Sequence, residues 1–78
     1  MIHIYSRENC AFCIKAKNLL NENNIQYQEI IIGKDIDRDE VIQKFPNRKM
    51  LPIVLNNDTM IGGYEDLVNY ITTQKKEI

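Results

Sequence analysis

The sequence predicts an α/β domain whose elements run β-α-β-α-β-β-α. Three observations carry that reading. A short run of β-formers, Ile2-His3-Ile4-Tyr5, precedes a stretch of helical apolar spacing, and a second β-rich run follows it. Pro52-Ile53-Val54-Leu55 and Thr59-Met60-Ile61 flank Asn56-Asn57-Asp58, residue types that tolerate positive φ, as in a β-hairpin. Gly62-Gly63 then leads into a last helical pattern.

Taken in order, Ile2 to Tyr5 reads as a buried strand that delivers the chain to a cysteine loop. From Ala11 to about Asn23, Cys13, Ala16, Leu19 and Leu20 recur with helical spacing, leaving Lys15, Lys17 and Glu22 to face water. Asn23 and Asn24 stop this helix. Gln26 to Ile32 is a second strand ended by Gly33, and a strand-helix-strand unit of this kind crosses over right-handed to a parallel neighbour. Asp35 to about Phe45 predicts a short helix, with Ile36, Val41, Ile42 and Phe45 as its apolar stripe, acidic residues toward its start and Pro46 at its end. Pro52 suits the first residue of the third strand. Tyr64, Leu67, Val68 and Ile71 space a third helix, and Thr72 to Ile78 reads as a polar, frayed tail.

Residues 1–78 are expected to make a single domain, with no repeat or linker, near the size limit at which one core suffices without staples. Apolar residues at 44% and charged residues at 27% fit an ordinary globular chain rather than a disordered one. A net charge of −1 gives nucleic acid no electrostatic handle, and no apolar run is long enough to span a membrane. The start of the chain lacks the basic and apolar regions of a signal peptide, so the expected compartment is the cytoplasm, whose reducing conditions suit a cycling dithiol.

The chemistry lies in Cys10-Ala11-Phe12-Cys13, the only cysteines of the chain. A sulfur at a helix start meets unpaired backbone N–H groups and the positive end of the helix dipole, which favours thiolate over thiol. Cys10 is therefore the expected nucleophile. Cys13, about one turn further in, is placed to resolve a mixed disulfide on Cys10 or to close a disulfide with it. A zinc site normally needs four ligands, and His3 is the only further soft donor here. A structural staple is also disfavoured, because so short a loop gives a disulfide little leverage on the unfolded chain. His3 reads as a strand residue, and Tyr5, Tyr27 and Tyr64 as packing.

Arg7-Glu8-Asn9-Cys10-Ala11-Phe12-Cys13, Arg48-Lys49-Met50-Leu51-Pro52 and Ile61-Gly62-Gly63-Tyr64-Glu65-Asp66-Leu67, in this element order, resemble glutaredoxin from about Ile2 to Tyr70. The resemblance implies a thioredoxin-like fold with a four-stranded mixed sheet, three helices and Pro52 in the cis form. It implies a thiol–disulfide oxidoreductase that acts on protein disulfides and protein–glutathione mixed disulfides, with glutathione as co-substrate and no bound metal. By the same resemblance the backbone of Leu51, before Pro52, pairs with glutathione as an added strand does. Arg7, with Arg48 or Lys49, faces the glycine carboxylate. The N–H groups of Tyr64 and Glu65 take the γ-glutamyl carboxylate and Asp66 its ammonium, while Gly62 and Gly63 allow close approach. Phe12, exposed between the cysteines, is placed to touch protein substrates, and Lys15 with Arg7 to help hold Cys10 ionised.

Two departures keep other readings open. Ala11-Phe12 stands where the best-known glutaredoxin motif has Pro-Tyr, which removes a rigid first helical residue. By resemblance to family members with a non-proline residue at this place, the change implies an iron–sulfur cluster shared between two subunits as a second reading. Met50-Leu51 replaces the usual Thr-Val before the proline, which removes a hydroxyl. The alternatives are a redoxin coupled to thioredoxin reductase that donates electrons to ribonucleotide reductase, and an iron–sulfur carrier dimer. A monomer acting on disulfide-containing or glutathionylated proteins is the expected form.

Overall fold

The structure, a computed structural model, describes residues 1–48 and 50–75. Its elements are β1 (Ile2–Ser6), α1 (Ala11–Glu22), β2 (Tyr27–Ile31), α2 (Arg38–Lys44), β3 (Ile53–Asn56), β4 (Thr59–Gly62) and α3 (Tyr64–Lys75). They form one four-stranded sheet in the order β2-β1-β3-β4, with β1 and β2 parallel and the other pairs antiparallel. The predicted β-α-β-α-β-β-α order and mixed sheet are what the chain adopts.

Alternation along β1 sorts the core into two layers. Ile2 and Ile4 point to one face and pack with Ala16 and Leu20 of α1, Val54 of β3, and Leu67 and Ile71 of α3. Tyr5 points to the other, where Ile53, Leu55 and Val41 of α2 meet it and Phe45 lies edge-on at 5.2 Å between ring centroids. The sheet therefore sits between α1 and α3 on one side and α2 on the other. This sandwich places the C-terminal end of β1, the start of α1 and the start of α3 at one end of the molecule.

Several boundaries differ from the sequence reading. β1 runs one residue further, to Ser6, and β2 is shorter, Tyr27–Ile31. α2 starts at Arg38 rather than Asp35, because Asp35 is spent on a turn: its Oδ2 accepts the Ile31 N–H at 2.9 Å, and Gly33 turns the chain at φ +92°. A carboxylate bonded to nearby backbone competes with helix formation. With the later start, Val41 and Phe45 face the sheet and Ile42 is exposed, so it does not belong to the stripe. α3 continues through Thr72 to Lys75, where a frayed tail was expected; no glycine or proline interrupts it. Residues 76–78 of that tail lie outside the described residues.

The end of α1 follows expectation. Asn23 Nδ2 donates to the Leu19 carbonyl at 2.7 Å, Asn24 takes φ +56°, and the Ile25 N–H returns to the Leu20 carbonyl at 2.9 Å. That pattern satisfies carbonyls the helix leaves open at its end.

Candidate active site

Cys10 is the N-cap of α1, held in extended backbone (φ −111°, ψ 105°) after Asn9 at φ +59°. From there its Sγ accepts the Cys13 N–H at 3.3 Å, in the place a capping oxygen usually takes. The helix start is thus aimed at the Cys10 sulfur. Cys10 and Cys13 are joined as a disulfide with Cα atoms 5.2 Å apart. Cys10 is 9% exposed and Cys13 1%, so an incoming sulfur meets Cys10 first.

Around this pair the chain brings three loops together. Phe12, 48% exposed, lies 6.0 Å from the Tyr64 ring, linking the start of α1 to the start of α3. Lys15 Nζ stands 5.3 Å from the centre of the Phe12 ring, within cation–π range. The preceding loop contributes Met50, exposed, and the cis Leu51–Pro52 bond, with Leu51 half-buried and Pro52 buried. Arg7 and Glu65 are both exposed.

Asp66 organises the start of α3. Its Oδ2 accepts the Gly63 N–H at 3.0 Å, the backbone half of a capping box, and lies 4.0 Å from Arg48 Nη2. Gly62 has φ +129°, and a Cβ there would run into the Asp66 side chain. A Cβ on Gly63 would meet Arg48 Nη2 at 3.1 Å and the Pro52 carbonyl oxygen at 3.8 Å. Both glycines therefore admit close approach, but the groups that approach are the chain's own Asp66 and Arg48. Arg48, Pro52, Gly63 and Asp66 form one contiguous wall; Lys49 lies outside the described residues.

One cluster went unread in the sequence. Lys17, expected to face water, reaches Glu29 Oε2 at 2.8 Å, and the buried Ser6 Oγ–H donates to the same oxygen at 2.7 Å. The hydrogen bond from Lys17, then that from Ser6, holds the Glu29 carboxyl below its ordinary value of 4.5. The sequence signal was the place of Lys17 one helical turn after Cys13; the parallel register that sets Glu29 opposite Ile4 is visible only in the fold.

A glutaredoxin family model matches residues 2–61, which hold the cysteine pair, Arg48 and Pro52. The chain belongs to the glutaredoxin family. Glutaredoxin 1 of Rickettsia prowazekii is 33% identical to it over 70 residues, covering 87% of this chain and 74% of the relative. Among solved structures, glutaredoxin 1 from Francisella tularensis superposes with a TM-score of 0.73 at 27% identity, covering 96% of each chain. A buckwheat glutaredoxin solved with glutathione gives a TM-score of 0.80 at 21% identity over 95% of this chain and 70% of that one, a likeness of fold. As a glutaredoxin with a paired Cys10 and Cys13, the protein is a thiol–disulfide oxidoreductase. The fold is the thioredoxin-like one that the resemblance implied.

Among the described residues, no group of three or more His, Cys, Asp or Glu side chains could hold a metal ion, and no helix is long and apolar enough to cross a membrane.

Proposed function

We propose that this glutaredoxin is a dithiol enzyme that uses glutathione. The Cys10 thiolate attacks the sulfur of a glutathionylated protein or a protein disulfide, forming a new S–S bond as the leaving thiolate departs and takes a proton. Cys13, or a second glutathione, then attacks the mixed disulfide on Cys10. Two further glutathione thiols return the Cys10–Cys13 disulfide to the dithiol and leave as glutathione disulfide. The observation that carries this division of roles is the Cys13 N–H donated to Cys10 Sγ, together with the greater exposure of Cys10.

The wall beside the dithiol has the chemistry a tripeptide with two carboxylates and one ammonium needs. Arg7, Arg48 and Lys49 would meet the glycine carboxylate; the Tyr64 and Glu65 N–H groups at the start of α3 would meet the γ-glutamyl carboxylate. Asp66 would meet the ammonium, Leu51 and Pro52 would line the cysteinyl unit against Gly63, and Phe12 would contact protein substrates. The Arg48–Gly63–Asp66 contacts support this reading, because they put cation, backbone and anion in one strip. We propose further that residues 1–78 act as one monomeric domain in a reducing cytoplasm, on disulfide-containing or glutathionylated proteins.

Coupling decides the reductant. NADPH consumption through glutathione reductase, with glutathione and hydroxyethyl disulfide, is expected to proceed, and turnover through thioredoxin reductase alone is not. The reverse result would assign the protein to the thioredoxin-reductase-coupled redoxins that serve enzymes such as ribonucleotide reductase. Visible absorbance after anaerobic purification with glutathione, without turnover, would favour the iron–sulfur carrier.

A further inference from the structure

We infer that Ser6, Lys17 and Glu29 are positioning residues for the dithiol, a clasp that ties both sides of the cysteine loop to β2 and balances charge behind it. Ser6 is the last residue of β1, before the loop, and Lys17 lies on α1, after it. Both bond to one oxygen, Glu29 Oε2, at 2.7 and 2.8 Å. The chain segments that enter and leave Cys10–Cys13 are thus fixed to a common point on the neighbouring strand. The thiol–disulfide chemistry itself consumes none of these three groups, yet Ser6 is almost fully buried and the Lys17 and Glu29 side chains are each only 28% exposed.

The electrostatic consequence follows from position. Residues one turn apart on a helix have Cβ atoms about 5–6 Å from one another, so Lys17 is a neighbour of Cys13. Paired with Glu29, it presents little net charge to the sulfurs. Removing either partner uncovers the other. An uncovered Lys17 favours the thiolate and so the reduced protein; an uncovered Glu29 disfavours it and so favours the disulfide. A clasp that acted only by tethering would loosen in the same way whichever partner was lost.

The test is the equilibrium of the dithiol with glutathione disulfide, giving the protein disulfide and two glutathione molecules, read by thiol trapping. Glu29→Gln is expected to lower the equilibrium constant for oxidation about threefold, and Lys17→Met to raise it about threefold. The double variant is expected to return to within about twofold of the wild type. Should Lys17→Met not fold, Lys17→Gln, which still donates to Glu29, is expected to shift in the same direction. Shifts of equal sign in the two single variants, or no shift in either, overturn the inference. A wild-type protein that fails to equilibrate with glutathione speaks against the proposed co-substrate instead; the same ratios are then read against dihydrolipoamide.

Discussion

Lys17 Nζ lies 2.8 Å from Glu29 Oε2, and Ser6 shares that oxygen, so a carboxylate on β2 is held charged from both β1 and α1. A carboxyl with a lowered value in the folded protein contributes stability above its unfolded value, and loses it as the pH falls through the folded one. Wild-type stability should therefore fall more steeply than that of Glu29→Gln as the pH drops below the ordinary carboxylate value of 4.5. At neutral pH the variant should be about 1 kcal/mol less stable. Urea midpoints across this range check both statements. A parallel pair of curves would contradict the coupling.

Gly62 combines φ +129° with an Asp66 side chain where a Cβ would stand. Gly62→Ala should cost about 1–3 kcal/mol, from backbone strain and from displacing the Asp66 cap of α3. The same change should weaken use of glutathione mixed disulfides, because the helix start that would receive the γ-glutamyl group moves with the cap. Chemical denaturation and initial rates on one preparation separate the two effects.

The Arg48–Asp66 pair is 4.0 Å long and partly exposed, a geometry worth little to stability. Arg48→Ala should change stability by less than about 0.5 kcal/mol. If Arg48 meets the glycine carboxylate, KM for a glutathione mixed disulfide should rise several-fold with kcat nearly unchanged, the mark of lost ground-state binding. An equal fall in kcat would place Arg48 in the chemical step.

Phe12 is half exposed, yet touches both Lys15 and Tyr64. Phe12→Ala should cost no more than about 1 kcal/mol, since only about half of the residue is buried. It should slow reduction of a protein disulfide more than that of hydroxyethyl disulfide. Comparing the two substrates on the same variant gives the answer.

Local signals made the redox loop readable. Ile2 to Tyr5, the cysteine spacing and the helical periodicity behind it all act over a few residues, and the structure places Cys10 at the cap they imply. The starts and ends that moved depended on other physics. Asp35 belongs to a turn because its carboxylate finds the Ile31 N–H, a choice that composition alone does not reveal. α3 outruns its apolar stripe because helical backbone needs no buried face in its last turn. Lys17 and Glu29 required the parallel register of β1 with β2, and the Arg48–Gly63–Asp66 wall required the hairpin to bring the proline loop beside α3.

If Cys10 alone performs the first attack and Cys13 resolves the mixed disulfide, loss of the two sulfurs must have different consequences. Wild type, Cys10→Ser and Cys13→Ser are compared on a glutathionylated protein and on a protein disulfide, with glutathione, glutathione reductase and NADPH. Cys10→Ser should lose both activities. Cys13→Ser should keep deglutathionylation and lose most protein-disulfide reduction. Equal loss in the two variants, or activity surviving in Cys10→Ser, would rule out this division of roles between the cysteines.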